Sequence, residues 1–273
     1  LLSSSQATSR IISPSFAIDT SEAKHKMLRS MLAFLLLVLA AMPQAAFAQS
    51  EPQPTYLYKT SLVQAAPGKL LELIDAYKKS FVEETKVAGD AAPLWMRHSQ
   101  GDRWDLLILF PMGSYMDYYK PDRVVKRDTV LDTWRDPLKN DTAWQEDIFV
   151  YGPPLDDLRK AFATAGLFHV EMFQSLPGKQ ADLQKQREME NAFSRAVKAP
   201  ENFIFLRDQG AAWDLFTIGC FENLKHYAQA ADVPPAEADV AAKSAGFESA
   251  AQIGPYLRTL IALHRDTLAV AIK

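Results

Sequence analysis

The sequence repeats itself, and this constrains the fold more than any other feature of the chain. Gln64-Ala-Ala-Pro-Gly-Lys69 recurs 110 residues on as Gln174-Ser-Leu-Pro-Gly-Lys179. At the same offset Leu57 matches Leu167, Leu73 matches Leu183, Val87 matches Val197 and Arg97 matches Arg207. One residue is then lost. At an offset of 109, Gly101 matches Gly210, Trp104-Asp105-Leu106 matches Trp213-Asp214-Leu215, and Tyr118 matches Tyr227. Matches that keep their order, with a single gap in a turn, point to duplication of one structural unit. The copies occupy residues 54–152 and 165–273. Residues 153–164 form a linker that begins in the breaker Gly152-Pro153-Pro154.

Each copy predicts the same series of elements. Thr55–Val63 alternates and is rich in β-branched and aromatic residues, as a strand is. Pro-Gly-Lys turns into a helix along which Leu70, Leu73, Ile74, Tyr77 and Phe81 recur at helical spacing. Pro93–Ser99 and Arg103–Phe110 flank Gln100-Gly101-Asp102 and predict a hairpin. Helical stretches at Gly113–Tyr119 and Asp122–Arg135 precede a last strand, Glu146–Tyr151. The second copy predicts strands at Leu167–Phe173, Asn202–Asp208, Ala212–Cys220 and Asp266–Ala271. Its helices are expected at Lys179–Val197, Glu222–Gln229, Pro235–Ser244 and Glu248–Leu263. The order βαββαβ is the split unit of ferredoxin-like folds. The expected class is therefore α+β, with two ferredoxin-like units in tandem. A sheet with helices on one face leaves the other face bare, and two copies in one chain can cover those faces by pairing into a barrel. A monomer with an intrachain pseudo-dimer is the expected state.

The tandem copies, the Pro-Gly-Lys helix start and the Trp-Asp-Leu strand resemble the dimeric α+β barrel superfamily. It includes antibiotic-biosynthesis monooxygenase-like, NIPSNAP-like and EthD-like proteins. The resemblance runs from about Thr55 to Lys273. It implies paired ferredoxin-like units with a ligand held in a cleft between sheet and helices. Some members are cofactor-free oxygenases and some bind haem.

The first 50 residues have a different character. Lys24, Lys26 and Arg29 precede an uncharged apolar run at 31–42, and Ala46-Phe47-Ala48 follows Pro43. This is the layout of a cleaved signal peptide, here 27–48, and the run is short for a membrane span. Residues 1–26 read as a disordered upstream extension. The expected destination is the periplasm or outside the cell, with no stable membrane insertion after cleavage. The formal net charge is −3. Residues 1–48 carry four basic and two acidic side chains, so the remainder stands at −5. No basic block is present, and nucleic acid is not expected as a partner. The single cysteine, Cys220, lies in an apolar context and is expected to be an inert thiol.

Phosphate loops, nucleophile elbows and His-Glu-x-x-His motifs are absent from the sequence, so chemistry must rest on scattered polar residues. The candidate catalytic residues are His98, His169 and Glu171. His169 and Glu171 stand at i, i+2 on one strand and share a face, expected to point into the barrel interface. Two ligands do not make a metal site of three or four, so no metal site is assigned. Arg97 and Arg207 are expected to pair with Asp105 and Asp214. The ligand-binding candidates are Tyr58, Trp95, Arg97, His98 and Tyr118, because the first copy is richer in aromatics and His98 has no counterpart in the second. The expected ligand is a small apolar or aromatic molecule. The alternatives are a cofactor-free or haem-dependent oxygenase or isomerase, and a structural interaction module. No cofactor is predicted; haem or a transition metal stays open.

Overall fold

A computed structural model of the protein describes residues 55–272. The upstream extension and the signal segment expected at 1–48 lie outside them. The elements run β1 (Tyr56–Ala65), α1 (Leu70–Ala88), β2 (Leu94–Gln100), β3 (Leu106–Gly113), α2 (Tyr115–Tyr118), α3 (Pro121–Asn140) and β4 (Thr142–Gly152). Helix α4 (Leu155–Thr164) follows. Then come β5 (Leu167–Ser175), α5 (Gln180–Ala196), β6 (Asn202–Gly210), β7 (Leu215–Phe221), α6 (Leu224–Ala228), α7 (Pro235–Ser244), α8 (Ile253–Arg258) and β8 (Ile261–Ala271).

The eight strands close into an antiparallel barrel in the order β1-β3-β2-β8-β5-β7-β6-β4. Four neighbouring strands come from each half, in the orders β4-β1-β3-β2 and β8-β5-β7-β6. The seams between halves are β2 with β8 and β4 with β6. Gly101 and Gly210, matched in the repeat, sit at these seams with φ of +124° and +84°. A Cβ would lie 2.3 Å from the Asp266 carbonyl at Gly101 and 2.6 Å from the Asp147 carbonyl at Gly210, so each seam closes over a bare glycine.

Alternation along the strands divides the side chains between two layers. Tyr58, Leu62, Met96, Leu107, Leu109, Val150, Phe168, Val170, Met172, Phe205, Phe216 and Ile218 point into the barrel and form one apolar core shared by both halves. Val63, Leu106 and Ile108 point outward and pack against Leu73, Ile74, Tyr77 and Phe81 of α1. Phe173 and Leu215 do the same against Leu183 of α5, with Leu257 and Leu260 alongside.

The repeated motifs are structural. In Ala66-Pro67-Gly68-Lys69 the Lys69 N–H donates to the Ala66 carbonyl at 2.9 Å, and Gly68 takes φ +76°. Leu176-Pro177-Gly178-Lys179 repeats both features, so Pro and Gly occupy the places a type II turn requires. Trp104 and Trp213 are buried in the barrel core. The Asp105 and Asp214 carboxylates accept the backbone N–H of Ala65 and Ser175, at 2.8 and 2.9 Å, and tie the ends of β1 and β5 to the neighbouring hairpins.

Two expectations are corrected. Within the linker expected at 153–164, Leu155–Thr164 form helix α4: Leu155 and Leu158 sink into the barrel core, and Phe162 packs on Phe168 with ring centroids 4.6 Å apart. The helix expected to reach Leu263 ends at Arg258, and β8 begins at Ile261, five residues before the expected start. Pairing of Ile261–Leu263 with Ser175 and Gln174 of β5 outweighs the local helical pattern.

Candidate functional site

A cavity of about 640 Å³ lies between the outer face of the first half's sheet and helices α1 and α3. Helix α1 forms one wall. Tyr77, Ser80, Phe81 and Glu84 recur at i, i+3, i+4 and i+7 and share one face. The outer faces of β1 and β3 supply Lys59, Ser61 and Phe110. Helix α3 adds Arg127 and Leu131, the short α2 adds Tyr118, and Trp144 of β4 completes the rim.

Several of the polar groups in this cleft are tied to one another or to neighbours behind its wall. Ser80 Oγ donates to Glu84 Oε1 at 2.8 Å. Burial pushes the Glu84 carboxyl above its ordinary value, while the Ser80 hydrogen bond and the Lys59 charge pull the other way. Ser61 Oγ donates to Asp147 Oδ1 at 2.5 Å, and Lys59 Nζ stands 4.0 Å from Asp147 Oδ2 and 4.5 Å from the centre of the Phe110 ring. The Arg127 guanidinium lies 3.6 Å from the centre of the Tyr118 ring, and its Nε is 2.9 Å from Asp90 Oδ2. Burial raises the Tyr118 hydroxyl to about 12.

The matching region of the second half has different contents. Lys59, Ser61, Tyr77 and Ser80 are replaced by His169, Glu171, Arg187 and Glu190. Arg187, its side chain 2% exposed, donates from Nη1 to Glu171 Oε2 at 3.2 Å and pairs with Glu190. Thr217 Oγ1 donates to the same Glu171 oxygen at 3.2 Å. His264 Nε2 lies 3.3 Å from Glu171 Oε1 and 3.3 Å from Asp266 Oδ1, and His169 Nε2 lies 3.2 Å from Asp266 Oδ1. Burial alone would raise the Glu171 carboxyl, but His264 and Arg187 hold it down at about 2. Burial would lower the His169 imidazole, but the hydrogen bond to Asp266 and the Glu171 charge raise it.

The candidate residues are not brought together as expected. His169 and Glu171 point outward toward α5, not into the barrel interface, because Phe168, Val170 and Met172 take the inner face of β5. Along β2, Trp95 packs outward against Tyr77 and Phe81, while His98 points inward onto Trp104 with ring centroids 5.7 Å apart. Tyr58 is fully buried in the barrel and donates to the Pro153 carbonyl at 2.7 Å. Arg97 is exposed and, among the described residues, has no ion pair, whereas Arg207 does pair with Asp214. Of the five ligand candidates, only Tyr118 lines the cleft, with Trp95 behind two of its aromatic walls. A set drawn from both parities of one strand cannot line one cavity. Lys59, Ser61 and Glu84 were missed in the cleft, and His264 and Asp266 in the second half. The available signal was Ser80 and Glu84 on the core-facing stripe of α1. Among the described residues, none of the four histidines lines the cleft, so it offers no imidazole to a haem iron.

No protein-family model matches the chain, and no curated protein sequence matches it. The likeness is to solved structures. An anthrone oxidase-like protein is similar with a TM-score of 0.54 and 12% identity, over 81% of this chain and 93% of that one. A candidate monooxygenase from Lactobacillus acidophilus follows at 0.49 and 8%, over 79% and 93%. A candidate chlorite dismutase follows at 0.46 and 8%, over 80% and 96%. At such identities the first likeness establishes the fold alone, that of the α+β barrel proteins.

Proposed function

We propose that this is an exported, monomeric barrel that binds a small aromatic molecule in the cleft of its first half. One observation carries the reading. The first half holds a cavity of about 640 Å³ walled by Tyr77, Phe81, Phe110 and Tyr118, while the second half fills the matching place with buried charge. The volume falls within the range of small-molecule sites, roughly 300–1,000 Å³. Lys59 at the cleft floor, 4.5 Å from the centre of the Phe110 ring, favours a second aromatic face beside it. Two ferredoxin-like units from one ancestor account for the identical strand order of the halves. Seams made within one chain support a monomer. Residues 27–48 support export.

A specific observation favours a second reading, that of a cofactor-free oxygenase. Glu84 is a carboxylate with a raised proton affinity, set among aromatic rings and oriented by Ser80. Such a group can take a proton from an acidic C–H or phenol at near-neutral pH. The solved anthrone oxidase-like protein shares the fold.

The test is native mass spectrometry of protein purified from its source, followed by oxygen uptake with an anthrone in air. A co-purified aromatic lost in Phe81→Ala supports binding. Anthraquinone formation abolished by Glu84→Gln selects the enzyme. Absence of any aromatic ligand, with no oxygen uptake, would overturn both.

A further inference from the structure

The four groups His169, Glu171, His264 and Asp266 lie on the outer face of two adjacent strands, β5 and β8, where Glu171 pairs directly with Asp266 and Phe173 with His264. The first half has the same four positions on β1 and β4, occupied by Lys59, Ser61, Gln145 and Asp147, with Ser61 paired to Asp147 and Val63 to Gln145. Only the aspartate is common to both. At the other three positions a lysine, a serine and a glutamine stand opposite a histidine, a glutamate and a histidine.

We propose that the second half is a binding site for a divalent transition-metal ion, ligated by His169, Glu171, His264 and Asp266. The ligand atoms of His169, Glu171 and Asp266 lie within 4.8 Å of one another, and His264 Nε2 falls between the two carboxylates. The three N···O separations are 3.2, 3.3 and 3.3 Å. These match three of the six edges, about 3.3 Å each, of a tetrahedron with metal–ligand bonds of about 2.0 Å. Hydrogen bonding accounts for His169, which meets Asp266 at 3.2 Å, but not for His264. His264 is 7% exposed and stacks on Phe173, yet its buried Nε2 has no hydrogen-bond partner of acceptable geometry among the described residues. A buried imidazole nitrogen set 3.3 Å from each of two carboxylates, without the alignment of a hydrogen bond, is placed as a metal ligand would be.

Charge points the same way. Arg187 pairs with Glu171 and Glu190, while the Asp266 carboxylate faces only the two imidazoles among the contacts of this cluster. A divalent ion between the imidazoles would give that carboxylate a full cationic partner. Arg187 and Thr217 bind Glu171 through Oε2 and leave Oε1 facing His264, so they fix which oxygen a metal would meet. The ion has an entry path. Asp266 is 56% exposed, and a hollow of about 580 Å³ lined by Gln100, His169, Tyr227 and Thr267 opens beside it, with room for water or an external ligand on the metal. Two imidazoles with two carboxylates suit zinc, manganese or iron rather than calcium or magnesium. The site is distinct from the cleft of the first half.

The test is titration of the chelator-stripped protein with Zn2+ by calorimetry and with Co2+ by visible absorption. One ion per chain is expected, with cobalt bands of a four- or five-coordinate site. His169→Asn and His264→Gln should each weaken binding by at least about 100-fold, while His226→Gln leaves it unchanged. Far-UV circular dichroism verifies that the variants are folded, and His169, nearer the surface, is the safer substitution. Failure of the wild type to bind either ion at millimolar concentration would overturn the proposal. So would unchanged affinity in folded His169→Asn and His264→Gln.

Discussion

Asp105 reaches back 40 residues to Ala65, whose backbone N–H donates to its Oδ2 at 2.8 Å, and so holds the end of β1 against the neighbouring hairpin. Asp214 does the same for Ser175, at 2.9 Å from the backbone N–H and 2.7 Å from the hydroxyl, and also pairs with Arg207. The duplicated Trp-Asp-Leu motif is thus a core residue followed by a clamp.

The two clamps differ in strength. Asp105→Ala removes one charged hydrogen bond and should cost about 1.5–3 kcal/mol. Asp214→Ala releases two such bonds and an arginine, and the loss should be larger. Urea unfolding followed by tryptophan fluorescence measures both. Equal losses would mean that the extra partners of Asp214 contribute nothing.

Acid stability should depend on Glu171. Its folded carboxyl titrates at about 2, against an ordinary value of 4.5. A depressed carboxylate stabilises the fold fully above its unfolded value, and the contribution is lost as pH falls through the window from about 4.5 to about 2. In metal-free protein, Glu171→Gln should be less stable than the wild type at pH 6, and the gap should shrink across that window. Denaturant melts at several pH values read this out. A gap that widens toward low pH would reverse the assignment.

His98 should matter for stability and not for ligand binding. It points into the barrel, with its Nε2 buried and lacking a hydrogen-bond partner among the described residues, away from the cleft. His98→Leu should leave aromatic-ligand affinity unchanged and raise stability by about 1 kcal/mol, because an unsatisfied polar atom is replaced by carbon. Weaker ligand binding in that variant would return His98 to the site.

Cys220 should be inert in the folded protein. Burial raises its thiol to about 12, so the thiolate is scarce at pH 8. A disulfide reagent should label it only after denaturation. Rapid native labelling would show that the thiol is open to solvent.

Much of the fold was legible in the sequence. The order of strands and helices follows from local periodicity, and Pro67-Gly68 and Pro177-Gly178 marked their turns. The missed start of β8 had a direct effect on the site: assigning residues up to Leu263 to a helix separated His264 from Asp266, which are neighbours on one strand face. The inward or outward direction of each strand was less legible, because alternation defines two faces without saying which one meets the other half.

From spacing alone the chain reads as mixed α+β, with motifs that recur 109 to 110 residues apart. Motif recurrence and hydrophobic period are properties of local spacing, and they survive without knowledge of contacts. Only the tertiary structure decided that Phe168, Val170 and Met172 turn inward and send His169 and Glu171 out toward Arg187. It also decided that His169 meets Asp266, 97 residues away, while Lys59, Ser61 and Glu84 border an open cleft. Such meetings depend on strand register and on which helix covers which face, and those are settled when the barrel closes.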